Sequence, residues 1–173
     1  PRPFAEIYRE NVSSVWRALR RLGVRPADIE DACQDVFVVV HGKLEQFDWN
    51  RSLPAWILGI SVKVAAKYRR KAHVRREALT DIPEAITEPV QTRSIERRQA
   101  REILEAMLDE LPDPQREVFV LYELREVPMA QVAEMVEAPL QTAYSRLHSA
   151  RKRIRASIEE MKMGGKEGSS HGS

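Results

Sequence analysis

DIEDACQDVFVVVHGKL, residues Asp28–Leu44, followed after a short loop by LPAWILGISVKVAAKYRRKAHVRR, residues Leu53–Arg76, decides how the rest of the chain is read. At 3.6 residues per turn the first stretch places Ile29, Ala32, Cys33, Val36, Phe37, Val40 and Leu44 on one broad apolar face. The opposite face carries Glu30, Asp31, Gln34, Asp35, Val38 and His41. Asp31, Gln34, Asp35 and Val38 recur at i, i+3, i+4 and i+7, the spacing of one contiguous patch. The largely β-branched run Val36–Val40 has a strand's composition, but strict alternation is absent and the helical period continues on both sides, so a helix is expected. Such a helix is more often simply a solvated amphipathic one, and the valine in the middle of its polar face shifts the balance toward a partner.

Phe47-Asp48-Trp49-Asn50-Arg51 reads as a loop, and Ser52 is placed to cap a helix with Pro54 in its first turn, where a missing N–H costs little. The spacing predicts a long helix from about Leu53 to about Arg75, with a buried stripe of Leu53, Ile57, Ile60, Val64 and Tyr68. Ala55, Gly59, Val62 and Ala66 form a small-residue flank that lets another helix approach closely. Trp56, Lys63, Lys67 and Arg70 make a third stripe, basic with an aromatic at one end, as expected where phosphates and unstacked bases are bound together. Between Lys63 and Arg76 there are seven Lys or Arg and no acid. Unpaired like charges on so few turns repel one another, which favours a polyanion as the partner. A membrane surface is disfavoured because the apolar side of this helix is committed to a core.

The chain of 173 residues suffices for one ordinary domain or two small ones. A net charge of only +2 conceals the segregation of acids and bases along it. The single cysteine, Cys33, cannot form an internal disulfide and sits on the apolar face, which fits a reducing compartment. No apolar run approaches the roughly 18 residues of a membrane span, and no signal peptide is visible.

Pro3–Leu22 reads as a first helix with Phe4, Ile7, Tyr8, Val12, Val15, Trp16 and Leu19 inward and Gly23 as its stop. Arg17, Arg20 and Arg21 at its end are read as solvated or dipole-complementing. Residues 79–94, with Pro83, Pro89 and several acids, have no sustained period and read as a linker reaching up to about 50 Å if extended. The helical period returns from Ile95 through Ile103, Leu104, Met107, Leu108 and Leu111. Asp113 is expected to cap a helix that begins at Pro114, runs to about Leu124 and buries Val118, Phe119, Leu121 and Tyr122.

A short helix from about Pro128 to Val136, a tight connection at Glu137-Ala138-Pro139 and a last helix from about Leu140 to Met161 complete the chain. Ala143, Leu147, Ala150 and Ile154 point inward, so Gln141, Tyr144, Ser145, His148 and Lys152 point outward. Two helices joined by a short turn, the second polar early and bearing Arg151, Lys152, Arg153 and Arg155 late, form a helix-turn-helix pattern in which early residues reach base edges and late ones grip phosphate. His148 has no second His, Cys or acid at ligand spacing and is read as a polar DNA-face residue, with no metal expected. No nucleophile, acid–base pair, phosphate-binding glycine loop or cofactor motif is present, so catalysis is not expected.

The stretch Asp28–His41 resembles region 2 of bacterial RNA polymerase sigma factors, specifically the extracytoplasmic-function group. Leu111-Pro-Asp-Pro-Gln-Arg-Glu-Val-Phe-Val-Leu, Ala130-Gln-Val-Ala-Glu and Thr142-Ala-Tyr-Ser-Arg-Leu-His-Ser-Ala-Arg-Lys-Arg resemble region 4 of the same family. The likeness runs from Phe4 to about Ile158 in the family's order.

What the resemblance implies is an all-α protein of two small helical domains joined by a flexible linker: residues 1–78, linker 79–94, a helix-turn-helix domain 95–162 and a disordered tail 163–173. Asp31, Gln34, Asp35 and Val38 would dock on the clamp helices of the polymerase largest subunit, and the second domain on its flap. Trp56, Lys63, Lys67, Arg69 and Arg70 would engage and open the minus-ten element, with a flipped base held by the loop that includes Asp48, Trp49, Asn50 and Arg51. Gln141, Thr142, Tyr144, Ser145, Arg146, His148, Arg151 and Lys152 would read or grip the minus-thirty-five element. The acidic linker would thread towards the RNA path, and an anti-sigma factor is an implied partner in the cytoplasm.

Three positions depart from the family's usual pattern: Glu137 stands for Gly in the bend, Pro128 for a capping Ser, and Tyr144 for a basic residue. They bear on turn geometry and promoter preference, not on the class. Two other readings differ in what they require. A helix-turn-helix regulator working without stable polymerase association would bind duplex tightly by itself, and a helical interaction module such as an anti-sigma antagonist would leave both basic stripes without a use.

Overall fold

The computed structural model describes residues 2–78 and 95–167; the linker expected at 79–94 lies outside them. The chain divides into two compact units, Pro1–Arg93 and Ser94–Ser173. The described residues are helical without strands, so the architecture is all-α.

In the first unit α1 (Phe4–Arg21), α2 (Ile29–Lys43) and α3 (Leu53–Ala78) each pack on the other two. Gly23 ends α1 at φ 92°, its N–H donating to Arg20 O at 3.1 Å while the Val24 N–H donates to Leu19 O at 3.0 Å. That pair of bonds needs a residue at ease with positive φ. It also buries Leu22 and Val24 beside Leu19. On α2 the residues Ile29, Ala32, Cys33, Val36, Phe37 and Val40 are buried as the period requires, and Leu44 is half-buried where a 3₁₀ turn begins. Each fully buried aliphatic of this set contributes roughly 1.5–3 kcal/mol relative to exposure.

The inward face of α1 differs from the expected one. Ile7, Val15 and Leu19 are buried together with Asn11 and Ala18, whereas Tyr8 stays 43% exposed and lays its ring 4.7 Å from that of Phe37 at the core's edge. Two neighbouring helices press on α1 here, and small or back-bonded side chains fit between them. Asn11 Nδ2 satisfies itself on Ile7 O at 2.8 Å. Ser61 on α3 does the same, its hydroxyl donating to Ile57 O at 2.9 Å. Because α3 is covered from two sides, its buried arc is wider than one stripe: Leu53, Ile57, Ser61, Val62, Val64, Ala65 and Ala72 are buried, and Ile60 and Tyr68 are half-buried.

The second unit contains α4 (Ile95–Asp109), α5 (Asp113–Phe119), a π-helical turn Val120–Leu124, α6 (Met129–Met135) and α7 (Leu140–Glu167). Asp113 is not the cap of α5. Pro112 occupies that position without a side-chain acceptor, and Asp113 begins the helix with its carboxylate taken by Arg116 Nη1 at 3.1 Å. Arg116 is itself buried: Nε donates to Leu108 O at 2.7 Å, and Nη2 to Asp109 O at 3.2 Å and Leu111 O at 3.1 Å. Leu108 and Asp109 close α4, where helix termination leaves carbonyls short of intrahelical donors and the dipole favours a cation, and Leu111 follows in the turn.

Val118, Phe119, Val120 and Leu121 are buried, but Tyr122 is only half-buried, with the Arg151 guanidinium 5.7 Å over its ring. The expected disordered tail at 163–173 is corrected in its first part, since α7 continues through Glu167 and residues 168–173 lie outside the description. Extending an existing helix adds one hydrogen bond per residue fixed, which carries it through Gly164 and Gly165.

Candidate nucleic-acid interface

On α2 the patch residues Asp31, Gln34 and Val38 are exposed, Val38 to 70%, while Asp35 is half-buried. The side chain of Asp35 leans on α3: its Oδ2 accepts a hydrogen bond from Tyr68 Oη at 2.8 Å and lies 3.5 Å from Lys67 Nζ. One helical turn before the patch, Asp28 sits 3.6 Å from Arg75 Nη1. The expectation of an unpaired basic block is therefore corrected. Acids and bases separated along the sequence meet across the α2–α3 contact, because antiparallel packing brings the acidic start of α2 beside the basic end of α3.

Lys63, Lys67 and Arg70 are exposed along one side of α3. Arg69 lies differently, half-buried and donating from Nη1 to Leu22 O at 2.6 Å, so it holds the end of α1. At the other end of the stripe Trp56 is half-buried against Phe47, ring centroids 4.7 Å apart, and Phe47 meets Trp49 edge-on at 5.2 Å. Phe47 thus joins the loop to the helix and holds both indoles beside the basic stripe, with Trp49 43% exposed. The loop is ordered by its own polar groups. Asp48 Oδ1 accepts from the Asn50 backbone N–H and from Asn50 Nδ2, each at 3.0 Å, and the Arg51 N–H donates to Asp48 O at 2.9 Å. Ser52 Oγ accepts the Ala55 N–H at 3.3 Å, which caps α3.

In the second unit α6 and α7 are joined through Val136–Pro139. Glu137 adopts φ 55°, its N–H donating to Glu134 O at 3.2 Å and that of Ala138 to Ala133 O at 3.0 Å. This is the arrangement found at Gly23, made here by a residue with a Cβ. Pro128 opens α6 through its carbonyl, which accepts from the Gln131 and Val132 N–H groups at 2.9 and 3.0 Å. Ala143, Leu147 and Ala150 are buried and Ile154 is half-buried, which turns Gln141, Tyr144, Ser145, His148 and Lys152 to the outside, all exposed. Thr142 and Arg146 flank that face, half-buried. The guanidinium of Arg151 is ion-paired with Glu123 while it covers Tyr122, so the π-helical turn after α5 orients it.

Burial alone pushes the Cys33 thiol up to about 11, which keeps it protonated and unreactive. Tyr68 is pushed up to about 12, first by burial and then by its bond to Asp35. Among the described residues no group of three or more His, Cys, Asp or Glu is placed to hold a metal ion, and no helix is long and apolar enough to cross a membrane.

Comparison with known proteins matches residues 7–75 to sigma-70 region 2 and residues 101–154 to sigma-70 region 4. The chain is 22% identical over 168 residues to the ECF RNA polymerase sigma factor SigW of Bacillus subtilis, covering 91% of this chain and 90% of that protein. It is 26% identical over 153 residues to SigM of the same organism, covering 87% and 92% respectively. Among solved structures it is similar in fold to the sigma factor RpoE, co-crystallised with the anti-sigma factor NepR from Bartonella quintana, with a TM-score of 0.72 and 20% identity over 90% of this chain and 96% of that one.

Proposed function

This chain belongs to the extracytoplasmic-function group of sigma-70 factors and directs RNA polymerase in transcription initiation, and we propose that its exposed faces divide that work as follows. The acidic face of α2, with Asp31, Gln34, Asp35 and Val38, docks on the clamp helices of core polymerase. The basic side of α3, with Lys63, Lys67, Arg70 and Trp56, holds the separated non-template strand of the minus-ten element. The Asp48–Ser52 loop receives a flipped base against Trp49, where base stacking on an aromatic ring contributes about 1–3 kcal/mol.

In the second unit, the N-terminal half of α7 enters the major groove of the minus-thirty-five element. Gln141, Tyr144 and Ser145 meet base edges there, while Arg146, Arg151 and Lys152 meet phosphate. The same unit contacts the polymerase flap. The protein performs no chemistry of its own and works in the cytoplasm, where core enzyme and chromosome are. An anti-sigma factor that covers these faces is the expected antagonist, as the Bartonella relative's co-crystal partner suggests by analogy.

The observation that carries this reading is the joining, beside one ordered loop, of two indoles to a row of exposed cations. An ordinary helix hairpin has no use for that combination. Run-off transcription with purified core enzyme over a promoter library tests it: transcripts that depend on this chain and start at a common pair of elements are expected. Tight duplex binding by the chain alone, with no complex formed with core enzyme, would replace it with an ordinary regulator.

A further inference from the structure

Within the α2 patch, Asp35 is half-buried where Asp31, Gln34 and Val38 are exposed, and its carboxylate is held from outside α2. The bond from Tyr68 Oη at 2.8 Å spans 33 positions of sequence, and Tyr68 belongs to the helix that the functional reading gives to DNA. We propose that Tyr68 is a positioning residue for polymerase docking: its hydroxyl anchors Oδ2 of Asp35, presents Oδ1 to the partner, and so extends the docking site over two helices. This rests on the reading of α2 as the polymerase face.

Three physical arguments support it. A lone surface carboxylate has to be ordered on association, and that ordering opposes binding; one already fixed by a hydrogen bond has lost the freedom beforehand. A hydroxyl donating to a carboxylate makes a charge-assisted bond, stronger than one between neutral groups. The phenol is a dependable donor, since burial and the bond itself keep it protonated far above physiological pH. Lys67 reaches the same oxygen at 3.5 Å, but both partners are substantially exposed, and such a pair is screened by salt and fixes orientation poorly.

The test is Tyr68→Phe in the full chain, which removes one oxygen and leaves the ring in place. Affinity for purified core polymerase is measured by fluorescence titration at fixed ionic strength, and folding by urea unfolding of the same sample. The expected result is a Kd raised about three- to tenfold with the unfolding midpoint close to that of the unsubstituted chain. In an Asp35→Ala background the same change should leave Kd unaltered, since the group being positioned is gone. An equal loss in both backgrounds overturns the positioning role, as does unchanged binding by Tyr68→Phe when Asp35→Ala weakens it. Core binding untouched by Asp35→Ala itself overturns the docking reading instead, so the two failures are distinguishable.

Discussion

Arg116 is the side chain on which the corner between α4 and α5 depends. Its guanidinium serves three carbonyls and one carboxylate from a buried position, and no small substitute fills that role. Arg116→Met is expected to remove the donor from the carbonyls of the buried Leu108 and Leu111, of which Leu108 O keeps the Leu111 N–H, and to lower the unfolding free energy of the second unit by about 2 kcal/mol. Urea unfolding followed by helical circular dichroism measures it. At Cys33 the sign follows from burial. The folded thiol holds its proton up to about 11. The unfolded thiol releases its own at the ordinary 9.0, so this contribution is whole below pH 9 and is lost as pH rises through 11. At pH 8 a thiol-specific disulfide reagent should react slowly with the native chain and fast once urea unfolds it.

Individual cations were the least legible part of the sequence. The spacing gave the face on which Lys67 and Arg70 lie, but the partners of Lys67, Arg69 and Arg75 come from other helices and depend on packing that no local pattern encodes. Arg116 gave no signal at all, because a buried arginine looks in sequence like any surface one.

At the level of helices, Glu137, like Glu126, is a position where local preference and observed geometry disagree. A side chain with a Cβ held at φ 55° is strained relative to glycine by roughly 1 kcal/mol. Glu137→Gly removes that strain but also loosens the unfolded chain and gives up the side chain's own interactions, so a net change within about 0.5 kcal/mol of zero is expected in equilibrium urea unfolding. A larger fall in stability would show that the Glu137 side chain makes a contact worth more than the strain.

The helices themselves were legible wherever burial stayed on one face, as on α2, whose six buried residues follow from period alone. Legibility failed where small or polar side chains fill a close contact, and at the exposed end of a helix. α1, pressed by two helices, took in Asn11 and Ala18 and left Tyr8 at its margin. The end of α7 kept its helix by continuation, though its glycines suggested otherwise. At α5 prolines stand on both sides of Asp113; the helix starts after the first of them, and the guanidinium of Arg116 claimed the carboxylate that a cap would have used.

For the molecule as a whole, the division of labour predicts separable losses. Lys63, Lys67 and Arg70 changed together to Ala should abolish open-complex formation, read by permanganate reactivity of unpaired thymines, while the chain still assembles with core enzyme. Asp31 and Asp35 changed together to Lys should do the reverse, preventing assembly in gel filtration. Loss of assembly in the first variant would reassign the α3 stripe, and normal assembly in the second would remove the docking surface from α2. The resemblance carried by the two motifs supplied the polymerase as partner; residue patterns alone reached only a nucleic-acid-binding helical protein.

Lys67, Arg75 and Arg151 each carry a tethered carboxylate, from Asp35, Asp28 and Glu123. A phosphate that approaches one of them displaces a fixed internal anion, and the freed acid stays nearby to repel the newcomer. Dissolved ions then take a smaller share in the exchange. The logarithm of DNA affinity should therefore fall with the logarithm of salt concentration less steeply than about 0.9 per cation in contact, and Asp35→Asn with Glu123→Gln should steepen it. The free protein would travel among chromosomal phosphates with its grip partly sheathed.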